Sequence, residues 1–136
     1  MDIENWKEEY LVGIESIDEQ HKKLFARMDA LTLALYKGQA VSEIEELVDF
    51  LDEYTVYHFN HEEDLMMKYR YPDMLKHIEL HKKFKSILFS FKSEFNKRGP
   101  SHNLALRLEK EIIVWYKNHI LIVDKKMSMY LNEKMP

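Results

Sequence analysis

Residues 42–69, SEIEELVDFLDEYTVYHFNHEEDLMMKY, decide the fold. Leu47, Phe50, Leu51, Tyr54 and His58 recur at three and four positions, the period of one helix face. Ser42 with Glu45 has the spacing of a capping box, so a helix is expected from Ser42 to about Tyr69. His58 and Glu62 stand four apart and share a face of it.

The flanking segments repeat this pattern. Upstream, Leu24, Phe25, Met28, Leu31 and Leu35 predict a helix over 18–37, which Gly38 ends. Before it, residues 1–17 are expected to form an ordered arm, anchored by Trp6, Tyr10 and Ile14 and able to bend at Gly13. Downstream, Tyr71-Pro72-Asp73 is a short connection, with Pro72 placed to open a third helix. That helix, over 73–97, carries His77, His81, Phe84, Leu88 and Phe91. Arg98-Gly99-Pro100 breaks the chain. Leu104, Leu108, Ile112 and Trp115 then predict a fourth helix over 101–132. Long helices with short links imply an all-α, antiparallel up-down-up-down four-helix bundle with an N-terminal arm, as a single domain over 1–136.

Composition narrows the chemistry. With 3 Gly and 3 Pro in 136 residues, turn chemistry is too sparse for a multi-strand β fold. A formal net charge of −4 without a Lys/Arg block argues against a nucleic-acid partner. The absence of Cys excludes disulfides, zinc-thiolate sites, iron–sulfur clusters and thiolate catalysis. No secretory leader or membrane insertion is expected, and the chain is taken as cytoplasmic and monomeric. Neither a Gly-rich phosphate loop nor a Gly-x-Ser-x-Gly elbow occurs.

Five of the 7 histidines, His21, His58, His77, His81 and His119, fall at helical spacings together with Glu62 and Asp124. In an up-down bundle, one shared site requires ligands early in helices one and three and late in two and four. His21 is ~5 Å into its helix and His77 and His81 are ~6 to 12 Å into theirs, at 1.5 Å per residue. His58 and Glu62 lie ~10 to 17 Å from their helix end, and His119 and Asp124 ~12 to 20 Å from theirs. These levels agree within about a turn. His119 and Asp124 are five apart, ~140° around an ideal helix, so a π-type distortion is expected near 120–123.

One histidine on an amphipathic helix is ordinarily a solvated or satisfied polar group. Five imidazoles and two carboxylates buried together without a metal would be very costly. His61 and His102 are expected outside the site, and Glu63 behind it or in solvent. Imidazole and carboxylate without thiolate suit iron, zinc, manganese or copper. Seven ligands exceed the need of one ion and are few for two octahedral ones. If both carboxylates bridge, one metal can take three histidines and the other two, leaving the second a position for a small ligand.

IDEQHKKLF around His21, HFNHEEDLM around His58 and Glu62, YPDMLKHIELH ending in His77 and His81, and WYKNHILIVD ending in His119 and Asp124 resemble the motifs of the hemerythrins, above all the single-domain bacterial ones. The resemblance covers essentially the whole chain and fills every ligand position. It implies a centre of two iron ions (Fe2+/Fe3+) with an oxo or hydroxo bridge that binds O2 reversibly. His77, His81 and His119 would hold one iron, His21 and His58 the other, with Glu62 and Asp124 bridging. O2 would bind at the iron bearing His21 and His58, in a pocket for which Leu24, Phe59 and Trp115 are candidates, although each is equally explained as bundle core.

The expected function is O2 carriage, storage or delivery, not enzymatic turnover. A sensor of O2, nitric oxide or redox state using the same site is the alternative. A ferritin-like oxidase or iron-storage bundle fits less well, because Glu-x-x-His pairs are missing. A zinc hydrolase lacks its H-E-x-x-H motif.

Overall fold

The computed structural model describes residues 6–136, apart from the side chains of residues 36, 40, 41 and 42. Four helices carry most of it: α1 (Glu15–Tyr36), α2 (Ala40–Lys68), α3 (Met74–Arg98) and α4, a continuous rod over 102–134. The fold is an all-α four-helix bundle, with no strand among the described residues. Phe25, Met28, Leu51, Phe84, Leu108 and Tyr116 fill its centre. None of the described helices is long and apolar enough to cross a membrane.

The first helix begins at Glu15, earlier than the expected Asp18. Asp18 resembles a helix start because short carboxylates favour caps. Its carboxylate instead reaches back to the arm, accepting from the Val12 N–H at 2.8 Å and the Gly13 N–H at 3.1 Å. Gly13 sits at φ +85°, where a Cβ would also come within 3.1 Å of the Asn132 side chain. Within the arm, a 3-10 turn over Glu8–Tyr10 lets Trp6 and Tyr10 pack on Phe25, with ring centroids 5.5 and 5.1 Å away. Residues 1–5 of the expected arm lie outside the described residues.

Helix α2 starts at Ala40 with Gln39 at the cap position, so Ser42 and Glu45 fall inside its first turns. The Ser42 side chain itself is outside those described. A C-terminal motif on α1 sets this start. Gly38 turns at φ +71°, and the Gln39 N–H bonds back to the Ala34 carbonyl at 2.7 Å. Arg70, at φ 55°, closes α2 in the same way, with the Tyr71 N–H on the Met66 carbonyl at 2.9 Å. Pro72 therefore precedes the cap residue Asp73 and does not open α3. From α4, the Tyr130 hydroxyl donates to the Tyr69 carbonyl at 2.7 Å and fastens this corner. Ser101 caps α4 by accepting from the Leu104 N–H at 3.0 Å.

α4 is not uniformly α-helical. It widens into π-helical turns at Glu109–Ile113 and at His119–Asp124.

One buried acceptor ties the end of the arm to α1. Asp18→Ala leaves the Val12 and Gly13 N–H groups without it, and should cost about 2 kcal/mol of unfolding free energy. Urea denaturation of the two proteins checks this; equal midpoints would show that these two hydrogen bonds contribute nothing to stability.

Candidate metal centre

The structure brings the seven sequence-selected residues together. Near the start of α1 stands His21, late in α2 stand His58 and Glu62, early in α3 stand His77 and His81, and late in α4 stand His119 and Asp124. All seven are buried. They form two overlapping sets: Glu62, His77, His81, His119 and Asp124 in one, and His21, His58, Glu62 and Asp124 in the other. Within each set the ligand atoms lie within 4.8 Å of one another.

The two carboxylates belong to both sets, and each points one oxygen at each. Glu62 Oε1 lies 3.3 Å from His77 Nε2 and 3.1 Å from His81 Nε2, while its Oε2 lies 3.2 Å from His58 Nε2. Asp124 Oδ1 lies 3.1 Å from both His77 Nε2 and His119 Nε2, and its Oδ2 3.2 Å from His21 Nε2. The site thus has a three-histidine half and a two-histidine half with two carboxylates strung between them.

The π turn over His119–Asp124 makes this possible. The Lys125 N–H bonds to the Ile120 carbonyl, five residues back. A turn closed at that spacing brings residue 124 round to the side of residue 119. The same two side chains on an ideal α-helix would diverge by ~140°.

Hydrogen bonding tests whether cations fit. Both oxygens of Glu62, both of Asp124, and Nε2 of His77, His81 and His119 are buried without a hydrogen-bond partner. A protein interior rarely leaves such atoms unsatisfied. Their lone pairs converge on shared space, which is what a metal ion requires. Electrostatics agree. Burial and mutual repulsion push the Glu62 carboxyl up, yet His58 and His77 outweigh them and hold it well below the ordinary range. Asp124 is likewise pushed up by burial and held well below by His119, His21 and His77. Burial lowers His77, but Asp124 and Glu62 carry it up to about 9. His58 is pushed down by burial, which leaves its imidazole neutral and able to donate.

Aromatic rings brace the three-histidine half. Phe59 lies face to face with His81, centroids 3.8 Å apart, and reaches His58 only at a tilted 5.8 Å. Trp115 stacks on His119 at 4.5 Å. Two of the three O2-pocket candidates therefore back the half opposite the one expected for O2. Leu24, one turn beyond His21 on α1, is fully buried. Which half a ring faces depends on the rotation of each helix in the bundle, and spacing within one helix does not contain it.

Other partners surround the site. His81 Nδ1 donates to Glu63 Oε2 at 2.8 Å. His58 Nδ1 donates to Gln20 Oε1 at 2.6 Å. Tyr54 stacks on His58 at 5.1 Å and donates its hydroxyl to the Gln20 carbonyl at 2.7 Å. Gln20 and Tyr54 have no recognisable signal in the sequence, since an amide beside His21 or an aromatic one turn from His58 equally suits an ordinary helix face. His61 bonds to Ser16 at 2.9 Å, away from the cluster, and His102 is exposed at the start of α4.

A model of the hemerythrin HHE cation binding domain matches residues 12–131. The chain belongs to the hemerythrin family. Among its relatives, a hemerythrin-like protein of Naegleria gruberi is 41% identical over 80 residues, covering 59% of this chain and 61% of that protein. The myohemerythrin of Theromyzon tessulatum is 31% identical over 122 residues, 89% of this chain and 88% of that protein. The bacteriohemerythrin of Clostridium acetobutylicum is 28% identical over 124 residues, 89% and 95% of the two.

The width of the π turn is open to test. Deleting exposed Ile122 places His119 and Asp124 at the i, i+4 spacing, which an ordinary α-helix also puts on one face. The deletion should straighten the turn and preserve metal stoichiometry, measured by elemental analysis of cobalt-loaded protein. A folded variant that binds less metal would show that Asp124 needs the extra residue. His61→Ala should leave stoichiometry unchanged.

Proposed function

We propose that this hemerythrin-family protein holds two iron ions and binds O2 reversibly, as a carrier and not an enzyme. The observation that carries this reading is the double engagement of the carboxylates, with one oxygen of Glu62 and one of Asp124 toward each half. His77, His81 and His119 hold the first iron, and His21 and His58 the second. The second half offers one histidine fewer, so a metal held there would have room for O2. All seven ligands come from one chain, so a monomer contains a complete site.

Bound ferrous iron supplies the electrons that reversible O2 binding requires. The protein's own residues restrain the chemistry. Five imidazoles, neutral once their Nε2 atoms bind metal, would add less negative charge than a carboxylate-rich set, which moderates the reducing power of the centre. Phe59, Trp115 and Leu24 keep water from the buried cluster. A carrier must also avoid delivering protons to bound O2. Tyr54, the phenol stacked on His58, has its hydroxyl engaged with the Gln20 carbonyl. Its pKa is raised by burial, and further by Tyr116 and the site carboxylates, so it keeps its proton.

The test is a visible spectrum of protein loaded anaerobically with ferrous iron, exposed to air and then deoxygenated. A band that forms with O2 and disappears on its removal, at two irons per chain, is the expected result. Prompt irreversible oxidation without that band would replace the carrier by an oxidase or a redox sensor. In the same assay His58→Ala should empty the second iron position, and Glu62→Ala should reduce occupancy of both. Two irons and normal O2 binding in His58→Ala would overturn the ligand assignment.

A further inference from the structure

The five histidines are supported unequally from behind. His81 Nδ1 donates to a carboxylate, Glu63, whose side chain is 23% exposed. His58 Nδ1 donates to a neutral amide, that of Gln20. His21 Nδ1 and His77 Nδ1 are buried without a partner. The carboxylate serves the three-histidine half and the amide serves the two-histidine half.

The two acceptors differ in more than charge. A carboxylate can only accept, so Glu63 always leaves the proton of His81 on Nδ1 and the lone pair on Nε2 facing the site. It also increases the donor strength of that imidazole. An amide has two faces. With Oε1 toward His58 it sets the same tautomer; with its NH2 group there, it would donate to Nδ1 and leave the proton on Nε2, 3.2 Å from Glu62. In that second state His58 cannot bind a metal. The Tyr54 hydroxyl holds the Gln20 backbone carbonyl, not the amide, so it anchors the residue without choosing the face. Gln20, which is half-buried, and Tyr54 also line a surface groove of about 670 Å3 between α1 and α2.

We propose that Gln20 is the positioning residue of the two-histidine half, and that its neutral, reversible amide makes this half the second to load and the first to lose its metal. The proposal rests on the two-metal reading above. Ligand number already favours the half with three histidines; the acceptors behind His58 and His81 widen the difference. Changes to such outer partners typically alter metal affinity by about 10- to 100-fold.

Anaerobic titration of the metal-free protein with cobalt(II), followed by its visible absorption, tests the proposal without any O2 chemistry. The parent should bind two ions in two steps. Gln20→Leu, which removes the acceptor, should weaken the second step about 10-fold and leave the first unchanged. Gln20→Glu, of the same length but accepting only, should bring the second step back to parental affinity or tighter. A purely structural role would move both steps together and would not be rescued by glutamate. A second step in Gln20→Leu within twofold of the parent, or equal loss at both steps, would overturn the proposal.

One measurement needs no variant. In the zinc-loaded parent at low temperature, the Nδ1 proton of His58 should appear in the NMR spectrum as a downfield resonance with a contact to the Gln20 side chain. Its absence would overturn the proposal. Failure of the two-metal reading is distinguishable, because the parent itself would then bind fewer than two cobalt ions.

Discussion

Two carboxylates that have left water behind set the terms for this structure. Glu62 and Asp124 are fully buried, repel one another, and have no hydrogen-bond partner on any of their four oxygens. A buried charge without a partner is among the most costly features a protein can contain. The imidazoles around them reduce that cost in part. Cations at the two foci would reduce it much further, and the side chains around those foci come from all four helices. The bundle therefore combines an ordinary apolar centre around Phe84, Leu108 and Tyr116 with a buried ionic cluster that all four helices share.

Geometry at this centre is held from outside it. Phe59 and Trp115 press on His81 and His119, so these rings cannot swing away without losing aromatic contact. On the other side, Tyr54 stacks on His58 and also holds the backbone of Gln20. The three-histidine half is flanked by flat apolar faces and a charged acceptor. The two-histidine half is flanked by a phenol, an amide and a groove.

Most of the fold and of the seven-residue cluster was legible because both depend on period. The spacings of His58 to Glu62 and of His77 to His81 are the spacing of an α-helix face, and the levels of the ligands along four alternating helices follow from rise per residue. Even the π turn was legible, because His119 and Asp124 are five apart and no straight α-helix brings them together. What escaped depends on contacts between elements. Asp18 resembles a cap and is an acceptor for the arm. Ser42 and Glu45 form a capping pattern, but the preceding α1 corner starts the helix two residues sooner. Phe59 and Trp115 were recognisable as neighbours of the site, yet the half they face is fixed by helix rotation. Gln20 was invisible because only the approach of α2 to α1 gives its amide a partner.

The arm and the last helix meet. The Asn132 side chain donates to the Val12 carbonyl at 3.2 Å, beside the Gly13 bend. The first and last parts of the bundle are thus neighbours in space, while the corner at Gly99 leaves room around its Cα. A chain joined by a short linker across the arm and α4, and opened at that corner, would contain the same four helices packed in the same way. Its ligands would then occur in the order His119, Asp124, His21, His58, Glu62, His77, His81. The linear motif by which this site is recognised thus records where the backbone happens to be cut; the centre itself requires only that seven side chains arrive at the same place.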